Sequence, residues 1–366
     1  MEDIDYMRLA IQLAKQGCGW VNPNPMVGAV IVKEGSIIGQ GYHKKYGELH
    51  AERIALASCQ ASAKGATLYV TLEPCCHHGR TPPCTDAIIE SGITRVVVGS
   101  ADPNPLVAGK GIEILRSHGI EVIEDTAKDE CDKLNESFFH YIQNRTPYVI
   151  MKYAMTMDGK IATYTGKSQW ITGPEARRRV HEDRHRYSAI MVGVGTVLAD
   201  DPLLTCRLEN SRNPLRIICD TNLRTPLNAN IVTTNDAAPT LIATAVTEVE
   251  RHKPYLDAGC EIMVLPQKDN HIDLNILMIK LGERQIDSLL LEGGGTLNWS
   301  ALKSGIVNKI QSYIAPKVFG GSGTSPVEGL GVTHPNEAFR LKKPVITQVG
   351  EDILLESEVI SCSQES

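Results

Sequence analysis

The sequence predicts an α/β protein of two domains. Three observations predict it. At about 150 residues per domain, a chain of 366 residues holds two. Short apolar strand-like runs alternate with helical patterns along the whole length, the signature of layered α/β structure. The polar stretch Asn144-Arg145-Thr146-Pro147 ends a long helical pattern just before a new apolar run. The domains are therefore set at 1–145 and 146–366.

The elements follow in order. Ile4, Met7, Ile11 and Ala14 share one helical face, and Gly17 ends it. Residues 27–33 and 36–41 read as the strands of a hairpin turned at Glu34-Gly35. Residues 50–61 are helical by composition and 66–72 form a strand. A helix over 85–90 is closed by Gly92, and 95–99 is the next strand. Helices are expected over 111–117 and 128–142. In the second half, strands are expected over 148–153, 189–192, 216–219, 240–243, 261–265, 288–291 and 310–314, with helices between several of them.

Composition excludes several classes. Lys plus Arg is 37 against 43 for Asp plus Glu, a formal net charge of -6. That balance gives no global electrostatic footprint for nucleic acid, and 5% aromatics are too few for base-stacking platforms. No apolar run reaches the roughly 18 residues of a membrane helix, and the acidic start MEDIDYMRLA carries no signal-peptide pattern. The expectation is a cytoplasmic protein with reduced thiols, in which clustered cysteines are first read as metal ligands.

Such a cluster exists. His50-Ala51-Glu52 opens a helix, and Glu73-Pro74-Cys75-Cys76-His77-His78-Gly79-Arg80-Thr81-Pro82-Pro83-Cys84 follows. The first matches the H-x-E signature of zinc-dependent base deaminases, and the second its P-C half, with a longer gap before the last ligand. One imidazole and two thiolates, from His50, Cys75 and Cys84, give zinc three protein ligands and leave the fourth position to water, whose pKa zinc lowers to about 7. Glu52 does not ligate; it carries the water's proton to the ring nitrogen and then to the leaving ammonia. A structural zinc site would instead recruit Cys76, His77 or His78 as a fourth ligand, and it has no use for an unligated acid. Cys18, Cys59, Cys131, Cys206, Cys219, Cys260 and Cys362 read as packing residues.

The second half lacks the G-x-G-x-x-G fingerprint of dinucleotide folds. Two glycine-rich stretches nonetheless lie between a strand and a helix: Gly193-Val194-Gly195-Thr196 and Gly293-Gly294-Gly295-Thr296. Backbone N–H groups at such a helix start suit a pyrophosphate. Tight turns that need glycine are the competing explanation.

Asn22-Pro23-Asn24-Pro25-Met26-Val27-Gly28, Gly41-Tyr42-His43, Gly47-Glu48-Leu49-His50-Ala51-Glu52 and the long Cys75-to-Cys84 insert closely resemble the bacterial bifunctional riboflavin-biosynthesis deaminase–reductases. Asp102-Pro103-Asn104-Pro105 is similar too. Shorter-spaced cytidine and tRNA adenosine deaminases lack the insert. Met155-Thr156-Met157-Asp158-Gly159-Lys160 looks like the opening of that family's reductase domain, and Ser168-Gln169-Trp170, residues 193–205 and Leu291-Glu292-Gly293-Gly294-Gly295 match its remaining motifs.

The resemblance implies a cytidine-deaminase-like α/β/α domain followed by a domain similar in fold to dihydrofolate reductase, with one zinc per chain and NADPH. It implies deamination of a phosphoribosylaminopyrimidine, then reduction of the ribosyl group to ribityl. Asn24 would hold the pyrimidine, and His43, Arg80, Asp102 and Asn104 would line that site. Asn before Pro is also a turn signal, so both readings stand for Asn24 and Asn104. In the reductase, Ala154, Trp170, Thr196, Asp200, Gly293, Gly294, Gly295, Thr296, Leu297, Asn298 and Trp299 would contact NADPH, with Thr221 a further candidate. Ser168, Arg184, Leu204, Arg207 and Glu292 would hold substrate, the two arginines as phosphate ligands. Lys152, Asp200 and Glu292 are the groups available for proton transfer, although a strand lysine is equally a snorkelling edge residue.

The expected partners are small molecules and further copies of the chain, as dimer or tetramer, with no nucleic acid and no membrane. The main alternative is a nucleic-acid base deaminase with an unrelated C-terminal domain; a non-catalytic zinc module joined to a nucleotide sensor is another.

Overall fold

The chain divides after Arg145 in the computed structural model, which describes residues 1–78 and 82–360. Arg80 and Cys362, singled out above, lie outside the described residues.

The first unit runs α1 (Asp3–Ala14), β1 (Gly28–Lys33), β2 (Ser36–Tyr42), α2 (Ala51–Ala57), β3 (Thr67–Leu72), α3 (Cys84–Glu90), β4 (Arg95–Ser100), α4 (Lys110–Ser117), β5 (Glu121–Ile123), α5 (Lys128–Leu134) and α6 (Glu136–Asn144). Its sheet has the order β2-β1-β3-β4-β5, antiparallel from β2 to β3 and parallel beyond. Glu34 and Gly35 both have positive φ, 49° and 75°, as a two-residue hairpin turn with matching twist requires. Apolar side chains alternate across the sheet. Ile31, Leu68, Val70, Val96 and Val98 pack with residues of α2, α3 and α4. Val30, Val32, Tyr69 and Val97 pack with residues of α1 and α5. The result is three layers, α/β/α.

Helix α2 lies close on β2 because Gly41 has no side chain: a Cβ there would stand 2.4 Å from Ala55 N. The helix expected over 50–61 stops at Ala57, where the Ser58 hydroxyl donates to the Ala55 and Gln40 carbonyls. A serine bonding backbone in this way competes with helix continuation. The single helix expected over 128–142 is two helices. It breaks at Asn135, whose buried amide accepts from Met26 N (2.8 Å) and donates to Met26 O (2.9 Å). A long-range contact thus overrides a local helical pattern.

The second unit runs β6 (Tyr148–Thr156), α7 (Pro174–Arg186), β7 (Ala189–Gly193), α8 (Val194–Asp200), β8 (Leu215–Cys219), α9 (Asn230–Thr233), β9 (Thr240–Thr244), α10 (Val249–Asp257), β10 (Glu261–Val264), the short hairpin β11 (Gln267–Lys268) and β12 (His271–Ile272), α11 (Leu274–Glu283), β13 (Ser288–Leu291), α12 (Gly295–Lys303), β14 (Lys309–Ala315), β15 (Val345–Val349) and β16 (Asp352–Glu358). A nine-stranded sheet has the order β10-β9-β8-β7-β13-β6-β14-β16-β15. It is parallel through β14, and its last two strands are antiparallel. The antiparallel pair was not expected from the sequence; most of its residues are exposed or half-buried, so its strands carry no continuous apolar run. The inner parallel strands β7, β8, β9 and β13 are buried on both faces, hence their continuous apolar runs. Met151, Met191, Ile217 and Leu291 meet α11 and α12 on one face, and Ile150, Ile190, Ile218 and Leu290 meet α8, α9 and α10 on the other. No helix among the described residues is long and apolar enough to cross a membrane.

Candidate active sites

In the first unit, the donor cluster forms where α2 and α3 begin and β3 ends. His50 is the N-cap of α2, Glu52 lies in its first turn, and Cys84 begins α3 behind the N-cap Pro83. The donor atoms of His50, Cys75 and Cys84 all lie within 4.8 Å of one another. His50 Nδ1 is 3.5 Å from Cys75 Sγ and 3.4 Å from Cys84 Sγ. One nitrogen and two sulfurs at this spacing fit zinc with one coordination position left over. Hydrogen bonding from Cys84, with help from His50, lowers the Cys75 thiol pKa, which favours the thiolate that a metal needs. Glu52 is 3% exposed, and burial pushes its carboxyl up, as suits a proton carrier at neutral pH.

Two residues that the motif reading missed hold this cluster in place. The Arg53 guanidinium donates to the carbonyls of Pro82 (3.3 Å) and Pro83 (2.8 Å), anchoring the chain just before Cys84. Glu73 is buried, and its carboxylate accepts four backbone N–H groups, from Asp102 (3.3 Å), Gly109 (3.0 Å), Gly111 (3.0 Å) and Ile112 (3.3 Å). It thereby ties the end of β3 to the segment bearing Asp102 and Asn104. A carboxylate at the start of α4 also complements the helix dipole. The only sequence signal was an acid directly before Pro74-Cys75.

Asn24 and His43 meet. His43 Nδ1 is 3.0 Å from Leu49 O and Nε2 is 3.2 Å from Asn24 Nδ2. A carbonyl can only accept, so Nδ1 carries the proton and Nε2 accepts from the amide. Burial lowers the His43 pKa and keeps that neutral tautomer. Asn24 Oδ1 is then free to accept. Asp102 is 8% exposed; its carboxyl, pushed up to about 6 by burial, accepts from Asn104 N. Asn104 Oδ1 in turn accepts from Leu106 N at 3.1 Å. Both side chains therefore make turn bonds, the competing reading for Asn104.

The second unit has a cavity of about 620 Å³ beyond the carboxyl ends of β7, β8 and β13. Ligands of open α/β sheets bind at such strand ends. Of the residues named above, Ser168, Thr196, Asp200, Thr221, Glu292, Gly293, Gly294, Gly295, Thr296 and Leu297 line it. None of the glycines at 193, 195 and 293–295 has positive φ, so the tight-turn explanation does not account for them. A Cβ on Gly195 would meet nothing within 4 Å, and one on Gly294 only Thr196 Oγ1 at 3.6 Å. These two keep the cavity floor bare. Gly295 is a packing glycine, since a Cβ there would stand 2.5 Å from Glu328. A bare floor beside the start of α12 fits a dinucleotide pyrophosphate.

Beside the cavity, Glu292 is held by two cations. Arg184 donates to it through Nε (2.8 Å) and Nη2 (3.0 Å), and Lys152 Nζ is 3.7 Å away. Burial works against the charge, but Arg184 and Lys152 outweigh it and hold the carboxyl at about 2. Burial lowers the Lys152 pKa against the pull of Glu292. Arg184 also donates to Thr205 O, so three of the five N–H donors of a guanidinium are taken up by the protein. Arg207 is exposed and acts on His181 alongside Arg184.

Several expected contacts lie off the cavity wall. Leu204 is 4% exposed and packs in the core. Asn298 is fully buried and donates to Pro326 O. Trp299 packs edge-on against Phe339. Successive residues of a helix point in different directions, so α12 cannot present all of its first turns to one ligand. Trp170 stacks under the Arg177 guanidinium at 4.9 Å, and Ala154 packs toward α7.

These two sites define the class: a zinc-type deaminase joined to a dinucleotide-type reductase. The cytidine and deoxycytidylate deaminase zinc-binding region matches residues 1–100, and the RibD C-terminal domain matches 147–355. The chain is 56% identical to the riboflavin biosynthesis protein RibD of Actinobacillus pleuropneumoniae, covering 99% of this chain and 96% of that one. It is 41% identical to the RibD of Escherichia coli, covering 97% and 99%. A crystal structure of a diaminohydroxyphosphoribosylaminopyrimidine deaminase/5-amino-6-(5-phosphoribosylamino)uracil reductase from Thermotoga maritima matches with TM-score 0.85 and 41% identity, covering 98% and 99%. Acinetobacter baumannii RibD matches with TM-score 0.87 and 37% identity, covering 98% and 99%. The chain belongs to the RibD family of bifunctional riboflavin-biosynthesis deaminase–reductases. The match over its second half removes the alternative of an unrelated C-terminal domain.

Proposed function

We propose that the first unit deaminates 2,5-diamino-6-(5-phosphoribosylamino)pyrimidin-4-one, and that the second reduces the ribosyl group of the product to ribityl with NADPH. The observation that carries this reading is the pairing of an N,S,S donor trio and a buried, unligated Glu52 with a bare-floored cavity beside a buried charge trio. His50, Cys75 and Cys84 would hold zinc, which would supply Lewis acidity and activate water at neutral pH. Glu52 then takes the proton from the attacking water, gives it to the ring nitrogen, and completes the leaving ammonia. Asn24 accepts from a pyrimidine amino group through its free Oδ1, with His43 fixing the amide's orientation. Asp102 and Asn104 would bind the same substrate, and Arg80 pairs with its phosphate.

NADPH bound in the cavity would supply the hydride that reduces ribose C1′. The start of α12, with Gly294, Thr196, Thr296 and Leu297, would hold its pyrophosphate. The ribose ring oxygen leaves C1′ and takes a proton. Glu292 is pinned as a carboxylate by Arg184, and guanidinium does not deprotonate, so Lys152 supplies that proton. Ser168 donates to Asp200 at 2.9 Å, and this pair binds substrate hydroxyls. Arg207 meets the phosphate. The same reading carries a cytoplasmic homo-oligomer acting on small molecules.

The test is a coupled assay on the full chain with zinc content quantified. The expected result is ammonia release followed by loss of NADPH absorbance. Ammonia without NADPH loss would overturn the reductase reading, and neither signal in zinc-loaded protein would overturn both.

A further inference from the structure

Two segments leave the carboxyl ends of neighbouring strands and wall one side of the cavity. β6 and β14 are paired as far as Thr156 and Ala315. Beyond them, residues 157–171 supply Ile161, Ala162, Gly166 and Ser168 to the wall, and residues 316–328 supply Thr324 and Glu328. Neither segment forms a helix or a strand, so regular backbone bonding does not fix its shape.

Each segment instead grips the other. Met157 N donates to Lys317 O (2.8 Å), and Ile161 N to Thr324 O (2.9 Å). Two charged side chains then cross in opposite directions. The Asp158 carboxylate accepts from Phe319 N (3.1 Å), Gly320 N (2.7 Å) and the Thr156 hydroxyl. Successive backbone N–H groups of this kind make an anion-holding nest, and the φ of 68° at Gly320 is one that glycine adopts without strain. These bonds, the Thr156 hydroxyl's first, hold the Asp158 carboxyl at about 2, so it keeps its charge at neutral pH. In the other direction, Lys317 Nζ donates to Trp170 O (3.0 Å) and Ile171 O (2.6 Å). An ammonium has three donors and no acceptor, which suits two carbonyls at a turn with no strand to pair them. Ser168 lies just before that turn, and its bond to Asp200 crosses to the end of α8.

We propose that Asp158 and Lys317 are positioning residues of the reductase, a reciprocal clasp that forms this wall of the cavity before the dinucleotide arrives. The inference rests on the reading of this cavity as a nicotinamide dinucleotide site. Where the wall is formed in only a fraction of unbound molecules, apparent affinity falls by that fraction, while turnover at saturation changes little. Neither Asp158 nor Lys317 lies on the cavity wall, so a change in affinity on removing one reports the state of the wall and not a lost contact.

Hydrogen–deuterium exchange and calorimetry on the full-length protein test it, with NADPH as the probe. In the unbound protein, Lys317→Met and Asp158→Ala are expected to speed amide exchange over residues 157–171 by about tenfold, the worth of one hydrogen bond to a charged group. Both should weaken NADPH by about 3- to 10-fold, and reduction of the deaminated substrate at saturating NADPH should change by less than about twofold. Lys317→Arg keeps the charge and the donors and should keep most of the affinity. Bound NADPH should slow the exchange of both variants back toward wild type. Wild-type affinity in both variants overturns the clasp while the cavity reading stands. Faster exchange throughout the nine-stranded sheet in both variants also overturns it, as a general loss of stability. Absence of NADPH binding by wild-type protein overturns the cavity reading and the clasp together.

Discussion

The two sites are assembled in different ways. In the first unit, chemistry converges from short motifs: His50 and Glu52 lie two apart, and Cys75 and Cys84 bound one insert. Side chains do the holding, and they start or end regular elements. In the second unit, the cavity floor is backbone, and the charged trio joins β6, α7 and the end of β13, with Arg184 and Glu292 108 residues apart. A contiguous motif carries its geometry with it, whereas a site drawn from separate strands depends on the whole sheet. The first site should therefore fail by losing its metal or its proton carrier, and the second by losing fit or charge balance.

The largest expected effect breaks the first site alone. Glu52→Gln should lower ammonia release by about 10²- to 10⁴-fold with zinc content unchanged, whereas Cys84→Ser should lose the zinc as well. Both should leave reduction of the already deaminated substrate intact. Ammonia assays beside elemental analysis separate the cases, and a Glu52→Gln protein with full ammonia release would end the assignment of Glu52.

Glu292→Gln is the counterpart in the second unit. It leaves Arg184 and Lys152 facing each other without their shared anion. Removing one partner of a buried pair costs about 3–5 kcal/mol, so the second unit should unfold at lower urea and reduction should fall more than tenfold. Deamination should persist. A chain that keeps wild-type stability after this change would show that the trio is solvated.

What was legible in the sequence follows the same division. The strands β1, β3, β4 and β6 to β9 were readable because buried strands are continuous apolar runs. The break at Asn135 was not, because the clamp on Met26 comes from 109 residues away. Glu73 and Arg53 escaped notice because their partners are backbone groups of a folded loop, which no spacing encodes. Arg184 was recognised as a charge, but its partner was not, since only the alignment of α7 with β13 brings Glu292 to it. Residues 293–299 were read as one ligand-binding run, yet helix geometry divides them between cavity and core.

Cofactor fit is a smaller and sharper test. Gly195 lies on the cavity wall with negative φ and open space where a Cβ would go. Gly195→Val should therefore fold, fill the floor and weaken NADPH by about tenfold, on the order of 1.4 kcal/mol, with deamination untouched. Unchanged NADPH affinity by calorimetry would mean that the dinucleotide does not cross this floor.

The smallest effect concerns pH and again contrasts two groups. Asp183, buried on α7 with an unpartnered Oδ2, has its carboxyl pushed up to about 7 by burial, against Arg186 and Arg179 and together with Glu356 and Glu292. Unfolded, an aspartate titrates near about 3.9, so between about pH 4 and 7 the folded chain binds more protons than the unfolded one. Asp183 therefore makes stability fall as pH rises through that window. Glu292 has the opposite sign. Held at about 2, it contributes stability above about pH 4.3 that is lost as pH falls toward 2. Asp183→Asn should remove the first slope, gaining about 1–2 kcal/mol over wild type at pH 8 and almost nothing at pH 4. Thermal unfolding at the two pH values measures this directly, and a gain of equal size at both would mean that folding does not raise the Asp183 pKa.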